Sequence, residues 1–229
     1  AGVGKTYRML NEARDLRRRG VDVAVGFIET HGRTETEAQI ADLEVIPRRR
    51  VEYRGATLEE MDLDAILVRH PDVVIVDELA HSNVPGSRHR KRWQDVLELL
   101  DAGINVISGV NVQHLESLND VVQGAIGVAV RETVPDWVVA RADQVVNIDI
   151  SAEDLRQRLV EGKIYDQAKV PTALENFFTD ENLTTLRELA LREVASSVDR
   201  AREDIVRQES GGKLVPRKTA ERILVAMAS

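Results

Sequence analysis

The sequence predicts an α/β fold: a P-loop NTPase-like, doubly wound and mainly parallel sheet with a C-terminal helical extension. Three observations predict it. Short runs of Val and Ile alternate with amphipathic segments of helical period, the pattern of successive βαβ units. The first six residues, Ala1-Gly2-Val3-Gly4-Lys5-Thr6, read as the back half of a glycine turn that opens a helix. One central run, Val73-Val74-Ile75-Val76, ends directly in Asp77-Glu78. That puts acids at the carboxyl end of a buried strand, where open α/β sheets place ligand groups.

Taken in order, Met9, Leu10, Ala13 and Leu16 share one face of a helix over residues 5–19, and Gly20 supplies its stop. Residues 21–28 are dense in Val and Ile and read as a buried strand. Glu29-Thr30-His31-Gly32-Arg33 follows at that strand's carboxyl end. A short helix is expected over 34–43, an edge strand over 51–53, and a helix over 58–69 that Pro71 ends. Residues 92–102 form an amphipathic helix carrying Trp93, Val96, Leu97, Leu99 and Leu100, stopped at Gly103. A strand over 104–112, a helix over 115–123 and a strand over 144–150 complete the alternation.

The composition then turns helical. Ser151 reads as the N-cap of a helix reaching 162, with Glu153 and Asp154 in its first turn. Asp180 caps a longer helix with Leu183, Leu186, Leu189, Ala190, Val194 and Val198 on one face. The expected organisation is therefore a nucleotide-binding α/β domain over 1–150 and a helical extension over 151–207. The first strand of that domain, and the leading glycine of its turn, are expected before Ala1. A polar linker over 208–221 contains Gly211-Gly212 and Pro216, and 222–229, with Ile223-Leu224-Val225-Ala226, reads as the start of a further domain.

Composition narrows the function. At 229 residues and 43% hydrophobic, the chain can bury a core, and with 3% aromatics that core is aliphatic. A formal charge of −8 argues against a general binder of nucleic acid or anionic membrane. The absence of cysteine excludes disulfides, thiol catalysis and cysteine metal sites. No apolar run approaches the length of a membrane span, and nothing resembles a signal peptide.

Each residue of the opening turn has a physical task. Gly2 and Gly4 permit a close backbone approach that a Cβ would block, and with Val3 they form a loop whose N–H groups wrap phosphate. Lys5 would reach the β- and γ-phosphates, and the Thr6 hydroxyl would help hold Mg²⁺. The following helix points its positive end at the same anion. Asp77 would bind Mg²⁺ beside Thr6, and Glu78 would orient or deprotonate an attacking water. Either half alone is common: a glycine turn often opens a helix, and strand-end acids often cap one. Together, at βαβ spacing, they indicate a Mg-nucleotide site. ATP is preferred by default, since no Asn/Thr-Lys-x-Asp segment of guanine-specific folds is present.

Other polar groups gather at predicted strand ends: Glu29, Thr30, His31 and Arg33; His81, Ser82 and Asn83; Asn111, Gln113 and His114. As a set they mark the ligand face, and Glu29, Arg33 and Asn111 join the candidate nucleotide contacts. Singly, each is more often a loop side chain satisfied by backbone. The basic run Ser87-Arg88-His89-Arg90-Lys91-Arg92 reads as a solvated helix entry, with an arginine reaching bound phosphate as the alternative. Arg48-Arg49-Arg50 reads as a solvated turn. The five histidines show no metal-binding spacing.

Longer motifs are more specific. Glu29-Thr30-His31-Gly32-Arg33, Asp77-Glu78-Leu79-Ala80-His81-Ser82-Asn83, Pro85-Gly86-Ser87-Arg88-His89, Lys91-Arg92-Trp93-Gln94-Asp95-Val96, Asn111-Val112-Gln113-His114-Leu115-Glu116-Ser117-Leu118-Asn119-Asp120, Arg131-Glu132-Thr133-Val134-Pro135-Asp136 and Leu174-Glu175-Asn176-Phe177-Phe178 closely resemble the N-terminal cytoplasmic domain of the KdpD family of potassium sensor histidine kinases. The likeness runs from Ala1 to about Val198. Ser82 stands where many relatives are expected to carry Thr, which keeps the hydroxyl. Glu221-Arg222-Ile223-Leu224-Val225 looks like the opening of the universal-stress-protein-like domain that follows in that family.

The resemblance implies a parent embedded in the inner or cell membrane that phosphorylates a response regulator controlling potassium uptake. It implies that this cytoplasmic domain binds ATP with Mg²⁺ through Walker-type motifs and tunes the balance of kinase and phosphatase activity. Gly2, Gly4, Lys5 and Thr6 match the family's Walker A, and Asp77 with Glu78 its Walker B. The implied partners are the nucleotide, the other domains of the kinase, the response regulator through the parent, and a second copy in a homodimer formed through the parent. No phospho-acceptor histidine box and no Gly-rich lid occur in this sequence, so it is at most a weak ATPase. Two further readings stay open: an active P-loop ATPase or phosphotransferase with Glu78 activating the nucleophile, and an interaction scaffold.

Overall fold

Alternate side chains of three buried strands point to opposite faces, and helices cover both. The computed structural model describes residues 2–30, 34–40, 42–126, 130–165, 167–210 and 223–228. Its strands are β1 (Val23–Phe27), β2 (Glu44–Val45), β3 (Arg49–Tyr53), β4 (Ala56–Glu60), β5 (Val73–Val76), β6 (Asn105–Asn111), β7 (Gln144–Ile148) and β8 (Ile223–Ala228). Its helices are α1 (Lys5–Arg18), α2 (Thr34–Ile40), α3 (Leu63–Arg69), α4 (Arg92–Asp101), α5 (Asn119–Ile126), α6 (Asp136–Ala140), α7 (Ala152–Val160), α8 (Val170–Asn176) and α9 (Asp180–Ser210).

The main sheet has the order β2-β1-β5-β6-β8-β7, with every pairing parallel. This is an α/β, P-loop-like doubly wound fold. On one face Val73 and Ile75 of β5 meet Met9, Leu10 and Ala13 of α1. On the other, Val74 and Val76 meet Ile66 of α3, Val96, Leu99 and Leu100 of α4, and Leu186, Leu189 and Ala190 of α9. Two-sided burial is why β1 and β5 read as unbroken apolar runs rather than alternating ones. Each fully buried Val, Leu or Ile side chain contributes roughly 1.5–3 kcal/mol. A third cluster, formed by Leu155, Leu159, Ile164, Val170, Phe178 and Leu183 of the helical extension, also takes in Val3. Helix α9 belongs to both the main core and this cluster, so the extension packs directly on the α/β unit.

Four expectations are corrected. Residues 56–60 form β4 rather than the start of a helix. Arg54 and Gly55 take φ of 52° and 79°, two consecutive left-handed residues that close a tight hairpin with β3. Helix α3 begins only after Asp62, whose side chain accepts from the Ala65 N–H. The helix expected from 115 starts at Asn119, after 3₁₀ turns over Val112–His114 and Glu116–Leu118. Helix α9 continues to Ser210, past the point where the linker was expected to begin, while 211–222 lie outside the described residues. Ile223–Ala228, expected to open a further domain, pairs in parallel with both β6 and β7 inside this sheet. A run of β-formers shows that a strand forms; it does not show which sheet accepts its backbone groups.

Candidate functional site

The opening turn has the conformation its glycines allow. Gly4 caps α1 at φ 96°, ψ 22°, and Gly2 stands at φ 89°, a region that side chains with a Cβ rarely enter. A Cβ on Gly2 would also come within 2.3 Å of Ile164 Cδ1. No side chain caps the α1 N-terminus, so its first N–H groups keep their partial positive charge for another acceptor.

The first turn of α1 meets the carboxyl ends of β5 and β6. The Lys5 ammonium donates to Asn111 Oδ1 at 2.6 Å, at the end of β6. The Thr6 hydroxyl donates to Asp77 Oδ2 at 2.9 Å, at the end of β5. Lys5 and Asp77, 72 positions apart, therefore lie at the same end of the sheet. Asp77 is 3% exposed and also accepts the Glu78 N–H at 2.9 Å. Burial pushes its carboxyl above the ordinary range, and the Lys5 charge pulls in the opposite direction. The room for that carboxylate comes from Gly109 of β6, where a Cβ would stand 2.9 Å from Asp77 Oδ1 and 3.3 Å from Met9 Cε. Glu78 follows at φ 57° with an exposed side chain, its conformation held by the His81 N–H on its carbonyl.

The remaining predicted groups divide. Asn111 belongs to the constellation through Lys5. Val3 contributes its backbone to the turn while its side chain is buried in the helical extension. Glu29, at the end of β1, stands 3.7 Å from Arg48. His31 and Arg33 lie outside the described residues. His114 Nδ1 donates to the Glu132 carbonyl at 2.7 Å, and the Glu132 carboxylate accepts the Ser82 N–H at 2.8 Å. Glu132 thus ties the loop after β5 to the loop after β6. Burial holds the His114 imidazole below its ordinary pKa, against the charges of Glu78 and Glu132.

A second polar cluster was not legible as such. Arg92, expected in a solvated helix entry, is fully buried: its guanidinium lies 3.7 Å from the Phe27 ring centroid, and Nη2 pairs with Glu60 at 3.0 Å. Arg48, expected in a solvated turn, also lies over Phe27 at 4.5 Å and donates to the Ile28 carbonyl at 2.5 Å. Glu60 accepts from His81 Nε2 at 3.0 Å and from the Val84 N–H at 2.9 Å. Burial alone would raise the Glu60 carboxyl, but His81, Val84 and Arg92 outweigh it and hold it below the usual range. Burial lowers the Arg92 pKa, and the Glu60 charge and hydrogen bond oppose that. One signal could have found Arg92: it falls on the same helical face as Val96, Leu99 and Leu100. Gly109 carried the other signal, a glycine inside a strand.

Among the described residues, no group of three or more His, Cys, Asp or Glu gathers as a metal cage, and no helix is long and apolar enough to cross a membrane. A doubly wound parallel sheet with a glycine turn opening a helix, facing a strand-end carboxylate, places the chain in the P-loop-like α/β class. Within that class it belongs to the KdpD family: residues 1–198 match the family model described as the osmosensitive K+ channel His kinase sensor domain. The chain is 58% identical over 199 residues to the sensor protein KdpD of Escherichia coli K12, a match covering 87% of this chain and 22% of that protein. It is 54% identical over 198 residues to the putative sensor protein KdpD of Synechocystis, covering 86% and 54%. It is 44% identical over all 229 residues to the sensor protein KdpD of Clostridium acetobutylicum, covering 25% of that chain. The chain thus spans between about a fifth and about half the length of these relatives.

Proposed function

We propose that this chain is the ATP- and Mg²⁺-binding regulatory region of a sensor histidine kinase that controls potassium uptake, and that it tunes the kinase–phosphatase balance of its parent. The supporting observation is that Lys5 and Thr6, which open α1 directly after two left-handed glycines, meet Asn111 and Asp77 at one end of the sheet. The residues fit the group. The turn offers uncapped N–H donors and a lysine, Thr6 and Asp77 offer the hard oxygens Mg²⁺ prefers, and Gly109 clears space around the acid. When bound, Mg²⁺ neutralises charge on phosphate oxygens. Lys5 orients the phosphate chain, and the buried Asp77 holds Thr6 in place. The parent would sit in the cell membrane with this region on the cytoplasmic side, acting on a response regulator and pairing as a homodimer.

Calorimetric titration with MgATP tests the site. Lys5→Ala is expected to weaken binding at least tenfold, since it removes a charged hydrogen-bond donor. Equal affinities of the two proteins would remove Lys5 from the reading. A second reading, an active ATPase or phosphotransferase, is favoured by Glu78 alone: an exposed carboxylate held at a left-handed φ directly after Asp77. Multiple-turnover phosphate release that disappears in Glu78→Gln would support it. Intact binding without turnover would leave the regulatory reading.

A further inference from the structure

The helical extension brings a cation of its own to the glycine turn. Ser151 caps α7 by accepting the Asp154 N–H at 3.0 Å, and Leu155 and Leu159 on its inner face bury Val3 between them and Ile164. The turn is thereby seated in the extension by its one large side chain. Beside Leu159, Arg158 Nη1 donates to the Gly2 carbonyl at 3.1 Å and stands 3.9 Å from the position a Cβ on Gly4 would take. One exposed guanidinium therefore spans both glycines. Glu161, just past the end of α7, is hydrogen-bonded by Lys163 and Gln157, and the Arg158 charge reaches its carboxyl only as the last and weakest of the influences that lower its pKa. A neutral backbone carbonyl uses one of the five donors of a guanidinium and is a weaker partner for it than an anion is.

We propose that Arg158 is a phosphate-binding residue, a second cation that the helical extension supplies to the anion held by the glycine turn. The proposal rests on the nucleotide reading above and deepens it. A phosphate group in the turn takes up guanidinium donors that the Gly2 carbonyl leaves unused, so α7 is held to the turn more firmly when the site is filled. Val3 gives the same coupling an apolar component, because any shift of the turn moves a side chain packed among Leu155, Leu159 and Ile164. The loaded state would in this way be read by the elements that lead out of the α/β unit.

The test titrates MgATP into the full chain as wild type, Arg158→Ala, Arg158→Lys and Lys5→Ala, at low and high salt. Arg158→Ala is expected to weaken MgATP binding about tenfold, and Arg158→Lys to recover part of that, because Lys keeps the charge without the planar fork. The affinity of Arg158→Ala should fall less steeply with salt than that of wild type, a change that loss of a packing contact would not produce. Hydrogen exchange over residues 152–160 should slow with MgATP in wild type and not in Arg158→Ala. Wild-type affinity and wild-type salt dependence in Arg158→Ala would overturn the proposal while leaving the nucleotide site standing. Failure of wild type to bind MgATP would overturn both.

Discussion

Two polar clusters flank the end of β5, each containing a cation and a carboxylate but bonded in opposite ways. In one, Lys5 gives its ammonium to an amide oxygen and Asp77 takes a hydroxyl, so each charge is hydrogen-bonded to a neutral group. In the other, Arg92 meets Glu60, Glu60 meets His81, and an aromatic face covers the guanidinium. A charge with a neutral partner keeps most of its field for a charged ligand. A charge with an opposite charge in a buried pair has spent it on structure. The difference teaches where to look for chemistry in this sheet: at Lys5 and Asp77, with the Arg92 cluster as the frame that holds the loop after β5.

The frame should be the costlier one to break. Glu60→Gln leaves Arg92 buried without its counter-charge and is expected to cost about 3–5 kcal/mol, read as a lower urea midpoint. An unchanged midpoint would mean that Arg92 does not depend on Glu60 to stay buried. Gly109→Ala attacks the other cluster, pressing a methyl against Asp77 and Met9. A loss of about 1–3 kcal/mol in thermal unfolding, with weaker MgATP binding, is expected.

Acid should separate the clusters further. The folded state holds Glu60 below its ordinary 4.5, so the folded chain binds that proton less readily than the unfolded one. Its contribution to stability is present above pH 4.5 and is lost as pH falls through the folded-state value. Melting temperature against pH should therefore drop more steeply in that window for wild type than for Glu60→Gln, and parallel profiles would refute the assignment. The smallest effect belongs to Glu78. Relief of its left-handed φ in Glu78→Gly, offset by the added chain entropy, should raise stability by roughly 0.5 kcal/mol, seen in the denaturant midpoint. A decrease would show that the carboxylate itself holds the loop.

Much of the first cluster was legible and almost none of the second. Lys5, Thr6 and Asp77 could be read because a glycine turn and a strand-end acid are local patterns, and βαβ topology brings such ends together. The Glu60–Arg92 pair spans 32 residues, and nothing local marked the two as partners: Arg92 read as part of a solvated helix entry and Glu60 as part of an expected helix. The β3–β4 hairpin was obscured for a related reason. Leu58, Met61 and Leu63 suit a helix as well as a strand, and only the left-handed pair at Arg54 and Gly55 selects the hairpin.

The sequence by itself determined the parallel α/β class, the cap of α7, the two-sided burial of β1 and β5, and the residues of the glycine turn. Each of these follows from preferences acting over a few neighbouring residues. Tertiary structure alone decided that Arg92 is internal, that Gly109 makes room for Asp77, that Val3 and Arg158 join the turn to the helical extension, and that Ile223–Ala228 lies between β6 and β7. Those outcomes depend on which distant groups share space and neutralise one another, and burial energies of that kind are set only when the chain has closed on itself.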